Sequence, residues 1–383
     1  MRSLLPPAAY IDQAWFERER TLLFEPLWQF FGLKTMLRKP NDFVVRRLGD
    51  VPVVVQNFSG QLRAFENLCV HRKNPLQTQP QGNRPLVCGY HGWGYDSEGI
   101  AANIPFEREL YRYPDWEKSE LKLHSFPVEV VGNLVFISLS QQPPPLTAQF
   151  DAKLLASLTE VSEAFDDETI ITTLKLNCNW KLAYENLRDS HHPRYVHSQS
   201  LYKNVKFGVD MTASAIADAR QVVENGFPDQ SSAMRTLRSF SNGGLNEPME
   251  SLTAYAWHQH VERYGELDWY YNWLVFPNLH VASGSGGYSF IIEHHVPVSA
   301  SRTDLIVYYV TGRKRSRYAT SASVLREHML GGGRVLREDI RVMENIQSAL
   351  HKGATPARLG EYEYANATIE RWYTDVMNGT VNF

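Results

Sequence analysis

The chain has 383 residues, 43% of them hydrophobic and 21% charged, with a net charge of −3 and a pI near 6.5. That length is comfortable for two domains with substantial cores, and the near-neutral balance excludes the basic footprint of a nucleic-acid binder and the acidic tail of a charged linker. Three cysteines are too few for a disulfide framework, and no run reaches the ~18 consecutive apolar residues of a membrane span.

In chain order, Pro6 and Pro7 interrupt the opening stretch and charges follow at once, so no signal peptide is expected and the cytosol is the expected compartment. The segment YIDQAWFERERTLLF predicts a helix, and residues 1–40 read as this N-terminal helix and a connection packing on the C-terminal domain. From Phe43 to Leu139 come short β runs, FVVRRL, VPVVVQNF, LRAFENL, PLVCGYHGWGYD and VVGNLVFISL, punctuated by Gly, Asn and Pro. Residues 41–145 therefore read as an all-β domain, closed by the Gln141-Gln142-Pro143-Pro144-Pro145 boundary.

Inside it, Cys69-x-His71 and Cys88-x2-His91 are separated by sixteen residues. Thiolate suits zinc and iron–sulfur clusters, and imidazole suits zinc and iron. Zinc fingers keep cysteines together and histidines together, whereas here each pair mixes one sulfur with one nitrogen. A two-iron Rieske [2Fe–2S] cluster uses such pairs, both sulfurs on one iron and both nitrogens on the other. Gly89, Gly92 and Gly94 let backbone N–H groups approach the sulfurs, and Trp93 and Tyr95 shield the site. Cys178 stands alone in LNCNWK and reads as a small buried hydrophobe.

Residues 146–383 mix strands and helices, an order that fits an antiparallel sheet with a helix carrying site residues. In NCNWKLAYENLRDSHHPRYVH, Glu185 and Asp189 are spaced i, i+4 and Asp189 and His192 i, i+3 on a helical pattern. Pro193 biases His192 away from the α region, and the resulting turn brings His197 back towards His192. Two imidazoles and a carboxylate with open positions make the facial triad of Fe(II) oxygenases. The candidate carboxylate is Asp339 on the amphipathic LREDIRVMENIQSALHKG helix, with adjacent Glu338 as its alternative; His191 is the alternative to His192. His258, His260, His294 and His295 read as strand residues, with His294 or His295 facing the pocket. Residues 201–250 are polar and weakly periodic and read as loops over it, and Arg313-Lys314-Arg315-x-Arg317 as a solvated turn. Arg72, Lys73 and Arg84 read as a solvated face, with electrostatic docking of an acidic redox partner as the alternative.

The two Cys/His pairs, the Gly92-Trp93-x-Tyr95 tail, Asp189-x2-His192-x4-His197, the late Glu338-Asp339…Glu344-x-Ile346-Gln347, Phe276-Pro277-Asn278 and Arg371-Trp372-Tyr373 together resemble the Rieske non-haem iron oxygenases in their large, or α, subunit, the ring-hydroxylating oxygenase family. Arg72-Lys73 departs from the Arg-Gly that often follows the first His. The resemblance implies an α+β chain, with an all-β Rieske [2Fe–2S] domain and a helix-grip catalytic domain built on an antiparallel sheet. It implies cluster ligands Cys69, His71, Cys88 and His91, a mononuclear iron on His192, His197 and Asp339, and Asp189 as the bridge from a ligand histidine to the cluster of a neighbouring subunit. It further implies a homotrimer supplied from NAD(P)H by a separate reductase, with or without a ferredoxin; the chain carries no G-x-G-x-x-G fingerprint of its own. The activity so implied is that of a terminal oxygenase using O2 to hydroxylate a small, aromatic substrate. Hydroxylation at an N-methyl group of a betaine-, choline- or carnitine-like amine is the alternative, with Trp257, Trp269, Tyr270, Tyr271 and Trp273 as a candidate aromatic cage. A Rieske electron carrier is the reading from a different class.

Overall fold

The computed structural model describes residues 3–189, 191–207, 242–243, 247–251, 255–266, 268–315 and 321–379. It divides into two compact units, Glu25–Pro143 and Met1–Phe24 with Pro144–Phe383.

In the Glu25–Pro143 unit, β1 (Gln29–Leu33), β9 (Val128–Val131) and β10 (Leu134–Ile137) make one antiparallel sheet. The second sheet runs β5 (Gln81–Asn83), β2 (Asp42–Leu48), β3 (Val51–Phe58), β4 (Gln61–Glu66), β8 (Ser125–Phe126). Side chains alternate between faces with a period of two, and β3 shows the result. Val53 and Val55 pack with Phe31, Val44, Val135 and Ile137, while Val54 turns to a second core with Phe65, Leu76, Leu86, Trp93 and both Cys69 and Cys88. The PLVCGYHGWGYD run is mostly loop, with only β6 (Gly94–Tyr95) pairing with β7 (Ala101–Asn103). Leu86, Trp93 and Tyr95 of this run are buried in one core with Phe43, Val54 and Phe65 of the second sheet, without joining its ladder.

In the other unit, β11 (Ile170–Leu176), β12 (Val205–Phe207), β14 (Glu247–Ser251), β15 (Trp269–Val275), β16 (Leu279–Ser283), β17 (Ser289–Ser299) and β18 (Arg302–Thr311) form an antiparallel sheet in the order 11-18-17-16-15-14-12, and β13 (Asn242–Gly243) pairs with β15. Helices α1 (Ala8–Ile11) and α2 (Gln13–Glu19) are separated by Asp12, whose side chain caps the second by accepting from Ala14 N–H. Helices α3 (Ala152–Glu163), α4 (Trp180–Arg188), α5 (Pro193–Val196), α6 (Ser321–His351) and α7 (Tyr364–Met377) complete the unit. On β15, Tyr271 and Trp273 face away from α6; Trp273 donates its indole N–H to Ser157 of α3 at 2.7 Å. At Gly332 a Cβ would lie 2.4 Å from Ile291 Cδ1, so this glycine is what lets α6 lie close on β17.

Buried polar contacts lock the helices. Glu19 is wholly buried and accepts from the Trp180 indole, the Lys181 ammonium and the Tyr373 hydroxyl. Phe276 packs edge-on against Tyr184 and Trp372. Thus the landmarks near 276 and 371 are packing elements around α4. Lys314 of the basic run pairs with Glu168 at 2.8 Å, and Arg317 lies outside the described residues, as does most of the 201–250 stretch expected over the pocket.

Candidate functional site

The two Cys/His loops repeat one backbone pattern. Cys69 N–H donates to Asn74 O and Lys73 N–H returns to Cys69 O; Cys88 N–H donates to Trp93 O and Gly92 N–H returns to Cys88 O. The position before each loop closes has positive φ, 56° at Lys73 and 74° at Gly92. The departure from Arg-Gly therefore places a lysine where glycine is favoured. The loops bring His71 and His91 to a ring separation of 4.7 Å, with His71 stacked on Trp93. Tyr95 Oη lies 3.0 Å from Cys69 Sγ, and Tyr90 N–H and Asn74 Nδ2 approach Cys88 Sγ at 3.5 and 3.7 Å. Both thiols are free, and the Nδ1 atoms of His71 and His91 are buried without a hydrogen-bond partner. Two sulfurs and two unpartnered imidazole nitrogens, with N–H and O–H donors around the sulfurs, fit the Rieske donor set. Cys178 is buried elsewhere, its thiol pushed up to about 12 by burial and then by Glu344.

The second centre is built by α4, α5 and α6. Asn179 caps α4 by accepting from Lys181 N–H, and α6 grips the same turn: Glu344 accepts from Asn177 N–H and Nδ2, and Gln347 accepts from Asn179 N–H. These contacts set the register of α6 on α4 and so carry Asp339 to the histidines. Helix α4 ends at Arg188. Asp189, with φ −87° and ψ 106°, is its extended C-cap rather than a helical residue. Its Oδ1 accepts from His191 N–H at 2.7 Å and His192 N–H at 3.2 Å. His192 is in the αR region, contrary to the expectation from Pro193. The Asp189 turn fixes that conformation, and Pro193 takes the N1 position of α5, where its missing N–H costs nothing.

One turn of α5 then brings His197 back, with the rings of His192 and His197 5.3 Å apart. Asp339 Oδ1 lies 3.3 Å from His192 Nε2 and 3.1 Å from His197 Nε2. Among the described residues, these three are the one group of His, Cys, Asp or Glu whose ligand atoms cluster, all within 4.8 Å. Burial pushes the Asp339 carboxyl up, but hydrogen bonds and charge from His192 and His197 outweigh it and hold the group below its ordinary value. Three donors with an open side fit a mononuclear iron. Of the alternatives, Glu338 accepts from His197 Nδ1 at 2.8 Å and from the Ser200 hydroxyl, and His191 packs against Tyr195 and Tyr362. Glu185 accepts from the Tyr10 hydroxyl at 2.7 Å. Asp189 Oδ2 is 3.9 Å from His192 Nδ1.

The three donors open on a cavity of about 170 Å³. Its walls are apolar around Leu187, Ile291, Leu305, Leu336, Ile340 and Met343, with Tyr270, Asn272, His280, Glu293 and His295 on the sheet. Of the five cage aromatics, Tyr270 alone lines this cavity: strand parity turns Tyr271 and Trp273 to the opposite face. His258 and His260 sit in a 3-10 turn, Ala256–His260, rather than a strand, and His258 stacks on Tyr288. His295 lines the cavity; His294, one residue away on β17, is buried on the other face. The sequence singled out Glu344, Gln347 and His295 but not the contacts they make, because the clamp and the Glu293 cluster each join segments far apart in the chain. No helix among the described residues is long and apolar enough to cross a membrane.

Residues 28–114 match the Rieske [2Fe-2S] domain profile, and residues 166–379 the Ring hydroxylating alpha subunit (catalytic domain) profile. The chain is 31% identical over 203 residues to the glycine betaine monooxygenase oxygenase subunit of Pseudomonas aeruginosa (strain UCBPP-PA14), covering 51% of this chain and 45% of that subunit. It is 26% identical over 325 residues to the large oxygenase component of the naphthalene 1,2-dioxygenase system of Pseudomonas putida, covering 78% and 69%. The first of these matches thus spans about half of the relative's own length. The quaternary ammonium Rieske monooxygenase CntA shares the fold, with a TM-score of 0.71 at 16% identity over 96% of this chain and 94% of that one. The catalytic profile alone accounts for more than half of the chain and the Rieske profile for most of the Glu25–Pro143 unit, so the chain belongs to the ring-hydroxylating α-subunit family of Rieske non-haem iron oxygenases.

Proposed function

We propose that this chain is the terminal oxygenase of a multicomponent Rieske system and hydroxylates a small organic substrate. The observation that carries the reading is the His192, His197 and Asp339 group opening on an apolar cavity, in a chain that also holds a Rieske donor set. A pure electron carrier has no use for that second centre. In this reading Cys69, His71, Cys88 and His91 hold the [2Fe–2S] cluster, and His192, His197 and Asp339 hold Fe(II). When bound, the cluster supplies single electrons and the ferrous ion supplies open positions for O2.

The remaining roles belong to the chain's own atoms. Tyr95 and the Tyr90 N–H place donors at the thiolates. The Glu338 carboxylate accepts from His197 Nδ1, so the proton sits there and Nε2 faces Asp339. Asp189 faces His192 Nδ1 and takes the bridging role to a neighbouring subunit's cluster. The apolar walls exclude water and orient the substrate. A cavity of about 170 Å³ is close to the ~150 Å³ that takes one benzene-sized molecule, which supports the small aromatic substrate. Oxidation at an N-methyl group is the second reading, favoured by the buried Glu293 carboxylate in the cavity.

A homotrimer, a separate NAD(P)H-linked reductase with or without a ferredoxin, and a cytosolic setting complete the proposal. The free thiols suit a reducing compartment. Exposed Tyr90, Phe106 and Leu110 beside the cluster loops suit a protein contact there. The test is total iron together with product mass spectrometry under labelled O2, using NADH and a surrogate reductase. Roughly three irons per chain and labelled product are expected. Roughly two irons and no labelled product would leave an electron carrier. Asp189→Ala is expected to keep both metals and lose turnover, and coupled turnover in that variant would remove the bridge.

A further inference from the structure

Three adjacent strands carry a continuous polar chain across the sheet side of the cavity. His280 on β16 and Glu293 on β17 are direct cross-strand partners, with His280 Nδ1 3.3 Å from Glu293 Oε1. His295, two residues on and on the same face, places Nε2 3.1 Å from Glu293 Oε2. His280 Nε2 lies 2.7 Å from Asn272 Oδ1 on β15. All four residues line the cavity that holds the three candidate iron ligands, and His280, Glu293 and His295 are at most 9% exposed. None of the four is needed for the iron, and an apolar cavity for a plain hydrocarbon has no use for them. Burying such groups is costly unless they are hydrogen-bonded or paired; these pair with one another and leave the spare acceptor positions of Glu293 on the cavity wall.

The chemistry of the ligand follows from Glu293. Burial pushes its carboxyl up, but the charge and hydrogen bond of His280, then those of His295, outweigh this and hold it ionised. A carboxylate offers about four acceptor positions; His295 Nε2 takes one, and His280 Nδ1 stands 3.3 Å from the other oxygen. Among the described lining residues Arg188 is the one guanidinium or ammonium group, and it lies over the Tyr184 ring. Glu293 and Asp339 both bear on the Tyr270 phenol, which lines the same cavity. The sheet side of the cavity thus carries one carboxylate, set between two imidazoles, with spare acceptor capacity.

We propose that the Asn272–His280–Glu293–His295 chain is the substrate-recognition wall of this cavity, and that it takes a small substrate by an amine or hydroxyl group donated to Glu293. The inference rests on the oxygenase reading of the same cavity and narrows its substrate class. The wall favours amines and alcohols over unsubstituted hydrocarbons, and a carboxylate, which has no proton to donate, gains nothing at Glu293.

The test is calorimetric binding to the iron-loaded, oxygen-free protein with four probes of one ring size: benzylamine, benzyl alcohol, toluene and benzoate. A hydrogen bond to a charged group predicts benzylamine and benzyl alcohol binding about 10-fold or more tightly than toluene or benzoate. Glu293→Gln should bring benzylamine down to the level of toluene, with iron content and the cluster spectrum unchanged. The wild-type panel decides the matter even where that variant does not fold. Toluene or benzoate binding as tightly as benzylamine would overturn the proposal. Turnover with labelled O2 is read separately. Amine binding without oxygen insertion would leave this inference standing and remove the oxygenase reading, whereas insertion into toluene with no amine preference would do the reverse.

Discussion

Replacing Glu338 separates a ligand from the residue that orients one. Its Oε2 accepts from His197 Nδ1 at 2.8 Å and also from Ser200, and an ionised carboxylate can only accept. Nδ1 therefore carries a proton, which makes Nε2, 3.1 Å from Asp339, the ring nitrogen available to a metal. In Glu338→Gln the amide oxygen keeps a hydrogen bond and loses the charge. A bond to a charged group contributes about 1.5–3 kcal/mol and a neutral one about 1 kcal/mol, so about 1–1.5 kcal/mol is lost. That corresponds to roughly 5–10-fold weaker iron binding. Glu338→Ala strips the acceptor from two donors, and about 10–100-fold is expected. Asp339→Ala removes a donor atom of the triad and should empty the site while sparing the cluster. The assay is anaerobic iron binding in competition with a chelator, with the cluster's visible absorbance counting folded chains. Retention of iron by Asp339→Ala together with its loss in Glu338→Ala would exchange the two roles, and unchanged affinity in Glu338→Gln would remove the orienting bond from the argument.

Three other expectations bear on stability. Glu19→Ala leaves the Lys181 ammonium buried and unpaired, at a cost of about 3–5 kcal/mol; denaturant unfolding should show most of it recovered in Glu19→Leu with Lys181→Met, and a loss below about 1 kcal/mol would mean that Lys181 is not held charged. Lys73→Gly relieves a left-handed residue at φ 56°, worth about 1 kcal/mol, so cluster absorbance should persist to higher denaturant, and earlier loss would show that the lysine side chain contributes more than its backbone costs. The Glu185 carboxyl is pushed up to about 7 by burial foremost, an effect that Tyr10 reduces and Glu370 adds to. The folded state then binds more protons than the unfolded chain between the ordinary carboxylate value and 7, so this group's contribution is full below that window and is lost as pH rises through 7. Its scale is about 3 kcal/mol. Glu185→Gln should flatten the decline in unfolding midpoint between pH 5 and pH 8, and an unchanged slope would assign the decline to other groups.

The convergence of the two Cys/His pairs was legible because each lies within one tight loop, where spacing alone fixes which atoms come together. The β runs were legible from alternation, except around Cys88, where loop residues pack against the sheet without joining it and imitate a strand. At the second centre the local pattern named the residue types that the structure brings together but left neighbours open. His191 and His192 differ by one position, as do Glu338 and Asp339. The choice between them depends on the Asp189 turn and on Glu344 and Gln347 clamping α6 to the start of α4. The aromatic cage looked plausible from composition, and strand parity on β15 undid it. Of the Asn272–His280–Glu293–His295 wall the sequence offered only His295, as one of two candidates for facing the pocket, since its members meet only when three strands pair in register. Local covalent spacing determined the chemistry this chain can hold; long-range packing decided which side chains share a cavity, because convergence across distant segments is a property of strand register and helix docking that no short stretch of sequence contains.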